Sequence, residues 1–124
     1  MLTHYILVRR DLPLGVVAAM ITHAAGESGS RYCDCYDGGF RGARAVVLGF
    51  ADEPTLLRAA EKLRRHCIDA VRVNESDDPY DGALMAVGVV PIDPDTVCVP
   101  GKTVAQVMRP FQTLKALDNQ DQYA

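Results

Sequence analysis

The chain has 124 residues, 48% apolar and 23% charged, a composition that suits one soluble domain able to bury a core without metal or disulfide staples. Thirteen basic against 16 acidic side chains give a net charge of −3, which argues against a nucleic-acid coating protein but leaves room for a local basic patch. No apolar run is long enough to cross a bilayer, and Met1-Leu-Thr-His-Tyr5 lacks the basic-then-apolar layout of a secretory signal, so a cytosolic protein is expected.

In chain order, the short apolar run Tyr5–Arg9 predicts a first strand, and Pro13 with Gly15 marks a turn. A small-residue helix is predicted from Leu14 to Ser28, and the Gly-, Asp- and Tyr-rich stretch Gly29–Gly42 reads as a loop. The near-continuously apolar Ala43–Phe50 predicts a second strand, expected to be covered on both faces. Asp52-Glu-Pro-Thr55 opens a second helix, with Asp52 as its cap and Pro54 in its first turn. Leu56, Leu57, Ala60, Leu63 and Cys67 form its apolar stripe, while Arg58, Glu61, Lys62, Arg64 and Arg65 turn outward.

Asp69–Asn74 alternates as a third strand, Glu75–Gly82 is a polar loop, and Ala83–Val90 is a fourth strand. Pro91–Gly101 leads to a third helix over Thr103–Met108, after which Phe111, Leu114 and Leu117 are expected to pack and Asp118–Ala124 to fray. The predicted domain therefore covers residues 1–117. Two crossovers make part of the sheet parallel, while the short loop before the fourth strand makes strands three and four antiparallel. The expected fold is α/β, a small mixed four-stranded sheet flanked by helices on both faces.

Four cysteines without a signal sequence read as reduced thiols. Cys33-Asp-Cys35 has no second ligand pair at a familiar zinc spacing, so neither metal nor other cofactor is expected. The strand-turn-helix unit at the start places a turn and a helix N-terminus at the carboxyl edge of the sheet, where open N–H groups and the helix dipole favour an anion. Strand one ends at Arg9-Arg10-Asp11 and strand three at Asn74-Glu75; they share that edge if the strands are parallel. His23 is either a proton shuttle or a hydrogen-bonded core or interface residue, and a lone imidazole among Ala and Met favours the second. Arg9 and Arg10 are anion contacts or a solvated strand end, and Asp11 serves chemistry or the turn. For the acidic loop Glu75–Asp81, a solvated loop outweighs a cation site. For Arg58, Lys62 and Arg65, a solvated helix face outweighs an RNA contact.

Val8-Arg-Arg-Asp-Leu-Pro-Leu-Gly15, followed by Ala18-Ala19 and His23-Ala-Ala25, resembles the type 2 peptidyl-tRNA hydrolase family. That family has a strand ending Val-Arg-x-Asp-Leu, a Gly-containing loop and a helix reading Ala-Ala-Gln-x-x-His-Ala-Ala. The likeness continues through Ala45-Val-Val-Leu48, the Asp-Glu-Pro helix, Val71-Arg-Val-Asn-Glu75, Val87-Gly-Val-Val-Pro91 and Arg109-Pro-Phe-Gln-Thr-Leu114. It implies a peptidyl-tRNA hydrolase type 2-like fold, frequent dimers, no cofactor, and hydrolysis of the ester between a peptide and tRNA, a translation-linked activity. On this resemblance His23 handles the proton, Glu75 is its carboxylate partner and Asp11 stands beside them. Arg10, Leu14, Gly15 and Ser76 would contact the substrate.

The chain departs from the family pattern at three places. The family loop Met-Gly-Lys-Gly-Lys is replaced by Leu14-Gly15 joined directly to Val16-Val17, two residues shorter and without lysine. The helical Gln is Met20, and the Asp-Ala-Gly-Lys/Arg-Thr-Gln loop is replaced by Glu75-Ser-Asp-Asp-Pro-Tyr80. A catalytically inactive relative that binds RNA or protein is therefore the alternative, favoured by net acidity and the lost lysine.

Overall fold

The apolar strand Thr3–Arg9 (β1) has neighbours on both sides and helical layers on both faces. The computed structural model describes residues 1–35, 43–111 and 113. After β1 come Leu14–Arg31 (α1), Arg44–Phe50 (β2), Glu53–Arg65 (α2), Ala70–Glu75 (β3) and Ala83–Val89 (β4). A small hairpin, Val97–Cys98 (β5) and Lys102–Thr103 (β6), then leads into the short helix Val104–Met108 (α3). The main sheet has the order β2-β1-β4-β3, a mixed four-stranded α/β arrangement. β1 and β2 are parallel, while β4 is antiparallel to both β1 and β3. It follows that β1 and β3 point the same way and end at one edge.

Strand alternation divides the core into two layers. On one face Tyr5, Leu7, Val87 and Val89 meet Leu56, Ala59, Ala60 and Leu63 of α2 and Val104, Val107 and Met108 of α3. On the other, Ile6, Val8, Val73, Met85 and Ala86 meet Val17, Met20 and Ala24 of α1. Gly88 lets α1 approach β4 closely: a Cβ there would lie 2.5 Å from the Ala24 carbonyl oxygen and 2.6 Å from Ser28 Oγ. Beside this contact His4 Nε2 lies 2.5 Å from Ser28 Oγ. The Ser28 hydroxyl gives its single proton to the Ala24 carbonyl at 2.8 Å, so the imidazole nitrogen is the donor.

The start of α2 follows the expectation: the Asp52 carboxylate accepts the Thr55 N–H, and the Thr55 hydroxyl accepts the Asp52 N–H, a reciprocal cap with Pro54 in the first turn. Its end differs. Cys67 sits past the helix in the left-handed region at φ 57°, Ile68 N–H bonds Leu63 O and Cys67 N–H bonds Arg64 O. This is a Schellman closure, with Ile68 and Leu63 sharing the core. Cys67 is thus exposed rather than part of the apolar stripe; Leu57 is 38% exposed, and Ala59 takes the inward place.

Other corrections have similar local causes. α1 runs through Gly29, which is buried within the helix, to Arg31. β2 lies at the sheet edge, so its first half is open and only Leu48–Phe50 are buried. Phe111 packs edge-on against Phe50, with centroids 5.2 Å apart, whereas Leu114, Leu117 and the expected frayed tail lie outside the described residues. No described helix is long and apolar enough to cross a membrane.

Gly88→Ala is expected to destabilise the fold by about 3 kcal/mol, because the clash is with backbone that cannot rotate away; a denaturant melt measures it. A loss under 0.5 kcal/mol would show that α1 can shift. Burial holds the His4 imidazole below its usual 6.5. The unfolded chain therefore binds the proton first, so this contribution is complete above pH 6.5 and declines as pH falls toward the lower folded value. Melting temperature should drop between pH 7.5 and 5, and His4→Gln, less stable throughout, should lose that part of the slope.

Candidate functional site

The parallel direction of β1 and β3 brings their ends to one carboxyl edge, beside the first turn of α1. Alternation makes Arg10 continue the row His4, Ile6, Val8 that faces α1. Arg10 N–H also extends the β1–β2 ladder by bonding Phe50 O at 2.7 Å. Glu75 pairs with Ala83, which packs in the α1-side layer, and residues opposite one another on antiparallel strands share a face. A register shift between Val73 and Asn74 accommodates this, with Met85 and Ala86 both turned to the α1 layer. Arg10, Glu75 and the α1 N-terminus therefore occupy the same face of the same edge.

The start of α1 has Pro13 as its cap residue, with no side-chain cap and no acidic residue in the first turn. α2 and α3, by contrast, each carry a complete reciprocal cap. Leu14 is 50% exposed and Gly15 has open space where a side chain would be. The first amides of α1 thus present their dipole end to solvent at the edge.

Each expected site residue has a definite place. Asp11 is engaged by Arg9 through two contacts of 2.9 Å, Nε to Oδ1 and Nη2 to Oδ2. The Arg9 side chain is only 13% exposed, and its Nη1 also reaches the Leu84 carbonyl at 3.4 Å. The bonded Asp11 carboxylate, with help from Glu53 and Tyr80, holds the Arg9 guanidinium more firmly protonated than usual. Asp11 thereby braces the turn into α1. Glu75 is half-buried, and its Oε1 accepts the Asp77 N–H at 3.0 Å, ordering the loop in which Ser76 is exposed.

His23 is exposed on α1 and has no side-chain hydrogen bond among the described residues. It is therefore wet, contrary to the core alternative. It lies nine residues beyond Leu14, an axial rise of about 13 Å, so it stands well along the helix rather than at the mouth of the edge. No hydrogen bond joins His23 to Glu75 or Asp11 among the described residues.

Two further residues belong to this edge. Tyr80 is half-buried, packs with Leu12 and Val16 against the α1-side layer and lies within the field of Arg9. The Glu53 carboxylate accepts the Leu84 N–H at 2.6 Å, tying the start of α2 to the start of β4. An aromatic residue inside an otherwise acidic loop was the available signal for Tyr80. Nothing local marked Glu53 beyond its place in a first turn. Compared with known proteins, the chain matches no family model and no curated protein.

A double-mutant cycle on Arg9 and Asp11 is expected to give a coupling of about 1.5 kcal/mol in folding stability, because one partner is largely buried and the contact is two-pronged. A coupling near zero would remove the bracing role.

Proposed function

We propose that the chain is a peptidyl-tRNA hydrolase-like protein acting on the ester between an acyl or peptidyl group and an RNA end. The observation that supports this reading is the shared direction of β1 and β3, each antiparallel to β4 between them, with Arg10, Glu75 and the uncapped start of α1 toward one face of one edge. A hydrolase for such an ester needs an anion contact for phosphate or a developing oxyanion, and a group that takes a proton from attacking water. The Arg10 guanidinium and the amides at Leu14 and Gly15 fit the first need, with Leu14 and Ser76 lining the approach. Glu75 fits the second, and the exposed His23 offers a second proton carrier further along α1. Asp11 acts at one remove, by holding Arg9 and the turn.

A binding protein without turnover is the second reading. It is favoured by the engagement of Glu75 Oε1 within its own loop and by the absence of lysine from the turn before α1.

Purified protein with labelled peptidyl-tRNA separates the two. Turnover is expected, with Glu75→Ala lowering kcat about 100-fold, the lower range for a positioned acid-base group, and His23→Ala lowering it less, because His23 stands about 13 Å along α1 from its first turn. Full turnover in either variant removes that residue from the chemistry. No turnover by the parent chain, with RNA bound in a salt-sensitive way, leaves the binding reading.

A further inference from the structure

Of the two outer strands of the main sheet, β2 is met at Leu48 by Thr113, while β3 has no strand on its far side among the described residues. The parity of the β3–β4 ladder fixes which backbone groups are left over. Val90 N–H bonds Asp69 O at 2.9 Å, so Asp69 faces β4, and in the register Ala70↔Val89 through Val73↔Ala86 so do Val71 and Val73. The N–H and C=O groups of Ala70 and Arg72 therefore point away from the sheet. No backbone bond from another element reaches them among the described residues. The register shift between Val73 and Asn74 ends this regular run, so the open edge is one short strand long.

The same two residues border a hollow of about 180 Å³ between α2 and β3. Leu63, Ile68 and Val87 form its apolar floor, and Arg64, Asp69 and Arg72 stand at its rim. Ala70 packs in the α2-side layer, and alternation turns Arg72 to the same side, where its guanidinium meets Glu61 at 3.4 Å. Glu61 also serves Arg64 at 3.2 Å, so one carboxylate is shared between two guanidiniums. At the other end of the run Asp69 is exposed and forms no ion pair among the described residues. The rim is thus positive toward Arg72 and negative toward Asp69.

We propose that the β3 edge binds an extended segment of a protein partner as an added antiparallel strand, with an aliphatic side chain over the hollow and an acidic one two residues before it. Residues opposite one another in such a pair share a face. The residue across from Ala70 therefore lies over the hollow, which the small Ala70 side chain leaves open, and the residue across from Arg72 lies beside the guanidinium. Antiparallel order puts the acidic residue first. The unpaired groups of the edge supply hydrogen bonds to any extended backbone, while the hollow and its rim select the side chains. A second copy of this chain fits worse. Overlapping its own β3 run on this one would lay arginine rather than an aliphatic chain over each hollow, and would crowd four guanidiniums around two copies of Glu61. Nothing in this surface depends on ester hydrolysis at the carboxyl edge.

The test is fluorescence anisotropy of a labelled, capped peptide, Thr-Thr-Glu-Thr-Val-Thr-Thr, titrated with the full chain. Saturable binding is expected, with a Kd on the order of 100 μM. N-methylation of the peptide's Glu or Val removes a donor aimed at β3 and should weaken binding about tenfold. N-methylation of the Thr between them, whose N–H points away from β3, should leave binding nearly unchanged. Ala70→Pro removes an outward N–H without touching the β3–β4 ladder, and should weaken binding about as much with an unchanged melting temperature. Arg72→Glu should weaken it about fivefold, and a peptide with Lys in place of Glu should recover that loss. Absence of saturable binding up to about 1 mM overturns the proposal, as do equal losses on N-methylation at the two kinds of position. A dimer of the parent chain that Ala70→Pro dissociates also overturns it, since a second copy then holds the edge.

Discussion

The place where α1 lies down on β4 governs the rest of this molecule. Gly88 removes a side chain from the sheet at the point where the Ala24 carbonyl and Ser28 come down, and His4 reaches across to Ser28. These groups fix how far the helix slides and how it is rotated. Rotation decides that Val17, Met20 and Ala24 face inward and that His23 is left on the open flank. Slide decides how far the first turn projects toward the carboxyl edge. At that end Leu12, Val16 and Tyr80 close the layer, so the helix is held at both ends and the edge rests on a fixed support.

Two adjacent arginines meet opposite fates at this edge because successive strand residues face opposite ways. Arg9 turns to the α2 side, is nearly covered, and has its charge taken up by Asp11 and by the fields of Glu53 and Tyr80. Arg10 continues the row on the α1 side, where the helix start adds its dipole. A guanidinium already bonded at both prongs by a carboxylate has little left to offer an anion. At the edge itself the Arg10 N–H continues the β1–β2 ladder, and the open amides at the start of α1 carry the positive end of the helix dipole.

Much of the fold was legible because its elements are marked locally. Apolar runs gave the strands, Asp52 and Pro54 gave the start of α2, and a short polar loop gave the β3–β4 reversal. The misreadings share one cause, that position in the sheet is not written in a segment's own residues. Val46 and Val47 look like buried strand residues, yet β2 is an edge. Gly29 looks like a helix stop, yet it is a buried residue inside α1. Cys67 continues an apolar spacing, yet the chain turns left-handed there to close α2. At the site, alternation could name the face of Arg10 and Glu75 from sequence once the strands were known to be parallel. The Arg9–Asp11 pair and the setting of Tyr80 depend on side chains meeting across elements, which no spacing rule reports.

Charge distribution then bears on how an acidic chain can handle a polyanion. Glu75 ends β3, and Asp77, Asp78 and Asp81 sit in the loop beyond it, at the carboxyl edge of the sheet. Their repulsion reaches about 8–10 Å at physiological salt, a range comparable with the edge itself. The open amides at the start of α1 act over hydrogen-bond distances, a shorter range than that of the acidic loop. α2 begins at this edge, with Glu53 tied to Leu84, and runs away from it through alternating signs of charge, Glu61 standing between Arg58 and Arg65. A net charge of −3 therefore describes neither the acidic loop nor α2; the local field at each is set by the nearest few side chains.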